Sequence, residues 1–127
     1  MGNTWSTTLV NSTGTTEAVA LTSPAVSTGL PSTSAVLING KLNILTGSGG
    51  TLITIKCRQG SSASGTQVGG TETVTTVAAT DVQVPFSFID TSPVAANSQY
   101  SITVTENSGT WTVNFGTIAT HTMTGQG

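Results

Sequence analysis

A chain of 127 residues with a net charge of −2 and only three cations, Lys41, Lys56 and Arg58, lacks the basic surface that grips a phosphate backbone, so nucleic acid is excluded as an expected partner. Charged residues make up 6% of the sequence against a typical 25% or so, while 57 of the 127 are Thr, Ser or Gly; hydroxyls and backbone amides must keep this surface wetted. A mean hydropathy of +0.16 separates the chain from disordered sequences, which combine low hydrophobicity with high net charge.

The length is that of one domain. Weak self-repulsion favours association with other subunits or other proteins. No apolar run approaches the roughly 18 residues of a membrane span, and the N-terminus lacks a charged start followed by an apolar stretch, so neither a membrane nor a secretory signal is expected. The opening Met1-Gly-Asn-Thr-Trp-Ser6 fits an acylation pattern and Asn11-Ser-Thr13 a glycosylation acceptor, both patterns that arise often by chance.

In chain order, residues 1–15 place Trp5, Leu9 and Val10 in a polar setting without a sustained period. This reads as an extended N-terminal arm whose large apolar residues latch onto a neighbour; an edge strand closing the chain's own sandwich is the other reading. Residues 16–127 then form a single domain. Its β-type runs are Glu17 to Thr22, Ala35 to Leu45, Thr51 to Arg58, Thr71 to Val77, Val82 to Ile89, Tyr100 to Thr105 and Thr110 to Met123, the last long enough to be two strands divided at Gly116. Turn-forming stretches such as TGSGG, QGSSASG, DTSP and ENSG separate them. Seven or eight strands at this spacing, with no capped amphipathic helix, predict an all-β antiparallel sandwich or barrel. Alternation is clearest in Tyr100-Ser-Ile-Thr-Val-Thr-Glu106, which puts Tyr100, Ile102 and Val104 on one face and the hydroxyls on the other.

The same alternation governs Thr51–Gly60, which holds the sole cysteine. Ile53, Ile55 and Cys57 share one face; Thr54, Lys56 and Arg58 share the other. Cys57 therefore occupies a packing position, and Lys56 and Arg58 form a short row facing solvent or a partner. A nucleophilic cysteine needs a base, and the one histidine, His121, lies in the last run with nothing in the sequence to bring it near. A lone histidine without a cysteine cluster excludes the usual zinc spacings, and the five acids are scattered with no calcium-loop spacing. Asp90 in Asp90-Thr-Ser-Pro93 has a local role, accepting backbone N–H groups at a turn. The glycine stretches at 47–50 and 60–65 lack the Lys-Ser/Thr ending of a phosphate loop and precede strands. These absences predict no enzyme activity, no cofactor, no metal and no small-molecule substrate.

The segments VLINGKLNILTGSGGTLITIKCRQG, SGTQVGG, VPFSFIDTSPVAANSQYSITV and WTVNFGTIATHTM, spanning about Ala35 to Met123, resemble the small jelly-roll, tumour-necrosis-factor-like domains that decorate virus particles. Nearest in character are the decoration, or cement, proteins of tailed-phage capsids. The resemblance implies a jelly-roll sandwich of about eight strands with an extended arm, a homotrimer at a symmetry axis, and a place on the outer surface of the virion, clamping neighbouring copies of the major capsid protein. No functional residue carries over. On this basis Trp5, Leu9 and Val10 are expected as arm anchors and Lys56 and Arg58 as partner contacts. The alternative is the trimeric receptor- or carbohydrate-binding tip of a viral fibre or spike.

Overall fold

The computed structural model describes residues 2–6, 10–13, 16–23, 33–46, 52–76, 81–93, 99–107 and 110–124. Among them are nine strands: β1 (Gly2–Ser6), β2 (Val10–Thr13), β3 (Ala18–Thr22), β4 (Thr33–Thr46), β5 (Leu52–Gln59), β6 (Gln67–Thr75), β7 (Asp81–Asp90), β8 (Tyr100–Glu106) and β9 (Thr110–Thr124). None of the described residues is helical.

Every pairing is antiparallel. One sheet runs β1-β9-β4-β7, with β2 also on β9; the other runs β3-β8-β5-β6. The registers reveal how this order arises. Gly2 faces Thr120, Ala18 faces Val104, Val36 faces Asp90 and Leu52 faces Thr75, so the midpoint of each pair falls at residues 61–64. The chain is therefore one long antiparallel hairpin, folded at the Ser/Gly-rich tip around Ser61–Gly65. The hairpin is then rolled so that β4 meets β9 and β5 meets β8. A rolled hairpin of this kind is a jelly roll, the sandwich architecture expected for the sequence.

The core lies between the sheets and follows period-two alternation. Val36, Ile38, Leu42, Ile44, Val84, Phe86, Phe88, Trp111, Val113 and Ile118 come from one sheet and Ile53, Ile55, Cys57, Tyr100, Ile102 and Val104 from the other, all buried. Each large aliphatic or aromatic side chain so buried contributes about 1.5–3 kcal/mol relative to exposure.

Two strand assignments differ from the sequence expectation, and a third settles between two readings of the N-terminal residues. β6 begins at Gln67 rather than Thr71, because Gly69 holds φ +68° inside the strand and the register shifts opposite it, between Ile55 and Cys57. β9 continues unbroken through Gly116, where a Cβ would lie 2.8 Å from Leu21 Cδ1; the glycine there makes room for the facing sheet instead of dividing the strand. Residues 2–6 and 10–13, read from the sequence either as an arm or as an edge strand of this sandwich, pair with β9 along the edge of the β9-β4-β7 sheet.

Candidate functional site

The outer face of the β3-β8-β5-β6 sheet carries the charge cluster. On β5, Ile53, Ile55 and Cys57 are fully buried while Thr54, Lys56 and Arg58 alternate to the outside. Glu17, just before β3, lies over this face. Its carboxylate accepts two hydrogen bonds from the Arg58 guanidinium, at 2.5 Å from Nε and 2.9 Å from Nη2, and Arg58 Nη1 donates to the Gly65 carbonyl oxygen at 2.9 Å. Lys56 Nζ is 3.9 Å from the same carboxylate. Arg58 is thus held at three points, whereas Lys56 touches Glu17 only at the limit of an ion pair. Arg58 is the chief reason that Glu17 titrates below the usual carboxylate range, with Lys56 adding a smaller Coulombic pull.

The expected interface residues do not converge. Lys56 and Arg58 share the outer face of one sheet; Trp5 and Val10 lie at the edge of the other, opposite Thr117 and Val113 of β9. Leu9 lies outside the described residues. Glu17 was not singled out by the sequence, because its partner is 41 residues away and only the roll of the hairpin brings β3 beside β8 and β5. The second outer face, on β9-β4-β7, carries exposed Lys41 on β4 and exposed Asp81 at the start of β7. One of its rows aligns Ile89, Leu37 and His121, with Ile89 46% exposed.

Cys57 is not a reactive thiol. Desolvation pushes its pKa up to about 12, so it is protonated at neutral pH and packs as a small apolar group. It also cannot meet His121: Cys57 points into the core from β5, while His121 sits on β9 of the opposite sheet, out of phase with buried Thr120. Asp90, expected at a turn, does accept the Ser92 amide at 2.9 Å, but the structure adds two further donors from Tyr100 and Gln59. Among the described residues no three metal-ligating side chains come together.

The fold and these faces define a small jelly-roll domain. No protein-family model matches the sequence and no curated protein matches it. Solved structures do. VP2 of infectious bursal disease virus, solved as a subviral particle, superposes with a TM-score of 0.61 at 14% identity over 97% of this chain and 32% of that chain. The Gx strain of the same virus gives 0.60 at 14% identity, over 98% and 32%. The T13 viral particle gives 0.57 at 14% identity, over 90% and 28%. This chain therefore spans about a third of the length of these neighbours. At such identity the likeness is one of fold.

Proposed function

We propose that this chain is a structural virion protein that decorates a shell built by a major capsid protein, binding as a homotrimer on the outer surface of the particle. The observation that carries the reading is the jelly-roll match to a particle-forming viral protein over almost the whole of this chain. The surface chemistry supports it. Faces rich in threonine hydroxyls, with few charges, suit broad contact with protein.

Within this reading the N-terminal strands act as the latch. β1 and β2 occupy the outer edge of β9, so leaving it would expose β9's backbone amides, and a neighbour's strand would take the same hydrogen bonds. Trp5, Leu9 and Val10 anchor that exchange. Lys56, held to Glu17 only at 3.9 Å, turns toward the shell, while Arg58 keeps Glu17. A decoration protein stabilises its shell by binding the assembled state alone, and a trimer multiplies weak contacts through effective concentration.

The test is co-sedimentation of the purified protein with shells stripped of it, together with its native mass by light scattering. Saturable binding that is lost on truncating residues 1–14 is expected. Full occupancy by the truncated protein would remove the latch, and failure to bind any shell, with no trace of the chain in purified virions by mass spectrometry, would overturn the function.

A further inference from the structure

The outer edges of β6 and β7 meet beside the hairpin tip and enclose a cavity of about 340 Å³, at the lower end of the range of about 300–1,000 Å³ for small-molecule sites. We infer that this cleft binds a single neutral sugar unit of a surface glycan.

Its chemistry selects for hydroxyls. The polar lining is formed by Gln59, Thr66, Gln67, Thr91 and Ser92, and neither Lys nor Arg contributes. Beneath them lies Asp90, 4% exposed and fully engaged: Oδ2 accepts from the Tyr100 hydroxyl at 2.7 Å and from Gln59 Nε2 at 2.8 Å, and Oδ1 accepts from the Ser92 amide at 2.9 Å. The carboxylate is a positioning post. By taking the Gln59 amide nitrogen it turns the Gln59 carbonyl oxygen into a fixed acceptor. Its negative charge disfavours an anionic guest, and a metal cation would have to displace its donors. An uncharged guest with alternating donors and acceptors remains, which describes a sugar ring.

The backbone adds a donor. β7 is an edge strand, and the Ser87 amide points away from β4, donating to Glu72 Oε1 at 3.4 Å; by antiparallel alternation the Ile89 amide does the same and faces the cleft. Pro85 falls in the same outward series, where its missing N–H costs no sheet bond. Ile89, 46% exposed, gives an apolar wall for the C–H face of the ring, with Val68, 6% exposed and part of the core, at its base. Gly69 permits the geometry: its φ is +68°, and a Cβ there would lie 3.5 Å from the Ile89 nitrogen, so a larger side chain would intrude between β6 and the rim.

The isolated chain is enough to test this, so the outcome is independent of particle binding. Amide NMR spectra are recorded while methyl glucoside, methyl galactoside, methyl mannoside and N-acetylglucosamine are added in turn, with N-acetylneuraminic acid as the anionic comparison. Shifts confined to Gly69, Ile89 and the side-chain amides of Gln59 and Gln67 are expected for at least one neutral sugar, at millimolar affinity. Gln67→Ala and Gln59→Ala should each weaken binding about tenfold with the rest of the spectrum preserved. No shift with any neutral sugar, shifts unaltered by both substitutions, or a response to N-acetylneuraminic acid alone would overturn the assignment.

Discussion

The two ends of β8 bury a carboxyl each and treat it in opposite ways. At the Tyr100 end, Asp90 is 4% exposed and receives three hydrogen bonds, and the surroundings are equally satisfied: Tyr100 N donates to Ser23 Oγ at 2.9 Å and the Ser101 hydroxyl to the Gly60 carbonyl at 2.6 Å. At the other end, Glu106 is 2% exposed and neither oxygen has a hydrogen-bond partner among the described residues; the indole N–H of Trp111, just beyond the turn, is likewise buried without one. Burial alone does not fix what a polar group costs; donors do. The tip end is a finished polar network. The opposite end stores strain of solvation, and desolvation lifts the Glu106 pKa above the ordinary carboxylate range.

Asp90→Ala tests the finished end and carries the largest expected effect. It removes the acceptor of the buried Tyr100 hydroxyl and of the Gln59 amide, so the loss should be roughly 2–4 kcal/mol by denaturant unfolding. A loss no greater than that of an exposed Asp would mean the network contributes little. Glu106→Leu should move stability the other way, by about 1–3 kcal/mol upward at neutral pH, because it removes an unpaired buried polar group and keeps the volume. Destabilisation by Glu106→Leu would show that the carboxyl has a partner of its own.

The acid titration sharpens the contrast. Glu17 is lowered by Arg58, so its contribution is complete above the unfolded carboxylate value of 4.5 and is lost as pH falls through its folded pKa. Glu106 is raised, so the folded chain keeps a proton that the unfolded chain releases; its stability is complete below 4.5 and is lost as pH rises from there through its folded pKa. Together they place the stability maximum in mildly acidic solution. Glu106→Gln should abolish the fall on the neutral side and leave the acid limb unchanged, which equilibrium unfolding across the pH range measures directly.

The sequence made one end more legible than the other. Alternation in Thr51–Gly60 assigns the right faces, Cys57 inward and Lys56 and Arg58 outward, because a half-buried strand writes its period into its residues. In Tyr100–Glu106 it puts Tyr100, Ile102 and Val104 in the core but misreads the hydroxyl face as wet: Ser101 and Thr103 are both 0% exposed, because β3 and β5 flank β8 on both sides and Glu17 and Arg58 lie over that outer face. Asp90 was readable as a turn residue but its bonds to Tyr100 and Gln59 were not, since they depend on strands meeting across the sandwich. Extending the alternation of β8 by one step puts Glu106 on the core side, yet nothing local says that the end of the strand is covered. The Glu17–Arg58 pair was hidden for the same reason. A signal was available: with β5 and β6 flanking a tip near residues 61–64, folding the numbering about that point brings β3 onto β8 and β4 onto β7.

The smallest effect separates folding from docking. Arg58→Met removes both bonds that hold Glu17 and the bond to the Gly65 carbonyl, and should cost about 1–2 kcal/mol at neutral pH, a difference that shrinks once Glu17 is protonated in acid. Lys56→Met removes only a contact at 3.9 Å from a side chain 29% exposed, a geometry that contributes about 0–0.5 kcal/mol. The near-silent variant is the informative one. If Lys56 faces the shell, Lys56→Met should leave the unfolding midpoint in place while weakening co-sedimentation and flattening its salt dependence, because a lost rim charge acts mainly on association. Equal loss of binding in Arg58→Met and Lys56→Met would locate the contact at the shared Glu17 cluster. Unchanged binding in both would move it to the β9 edge, where Trp5 and Val10 lie.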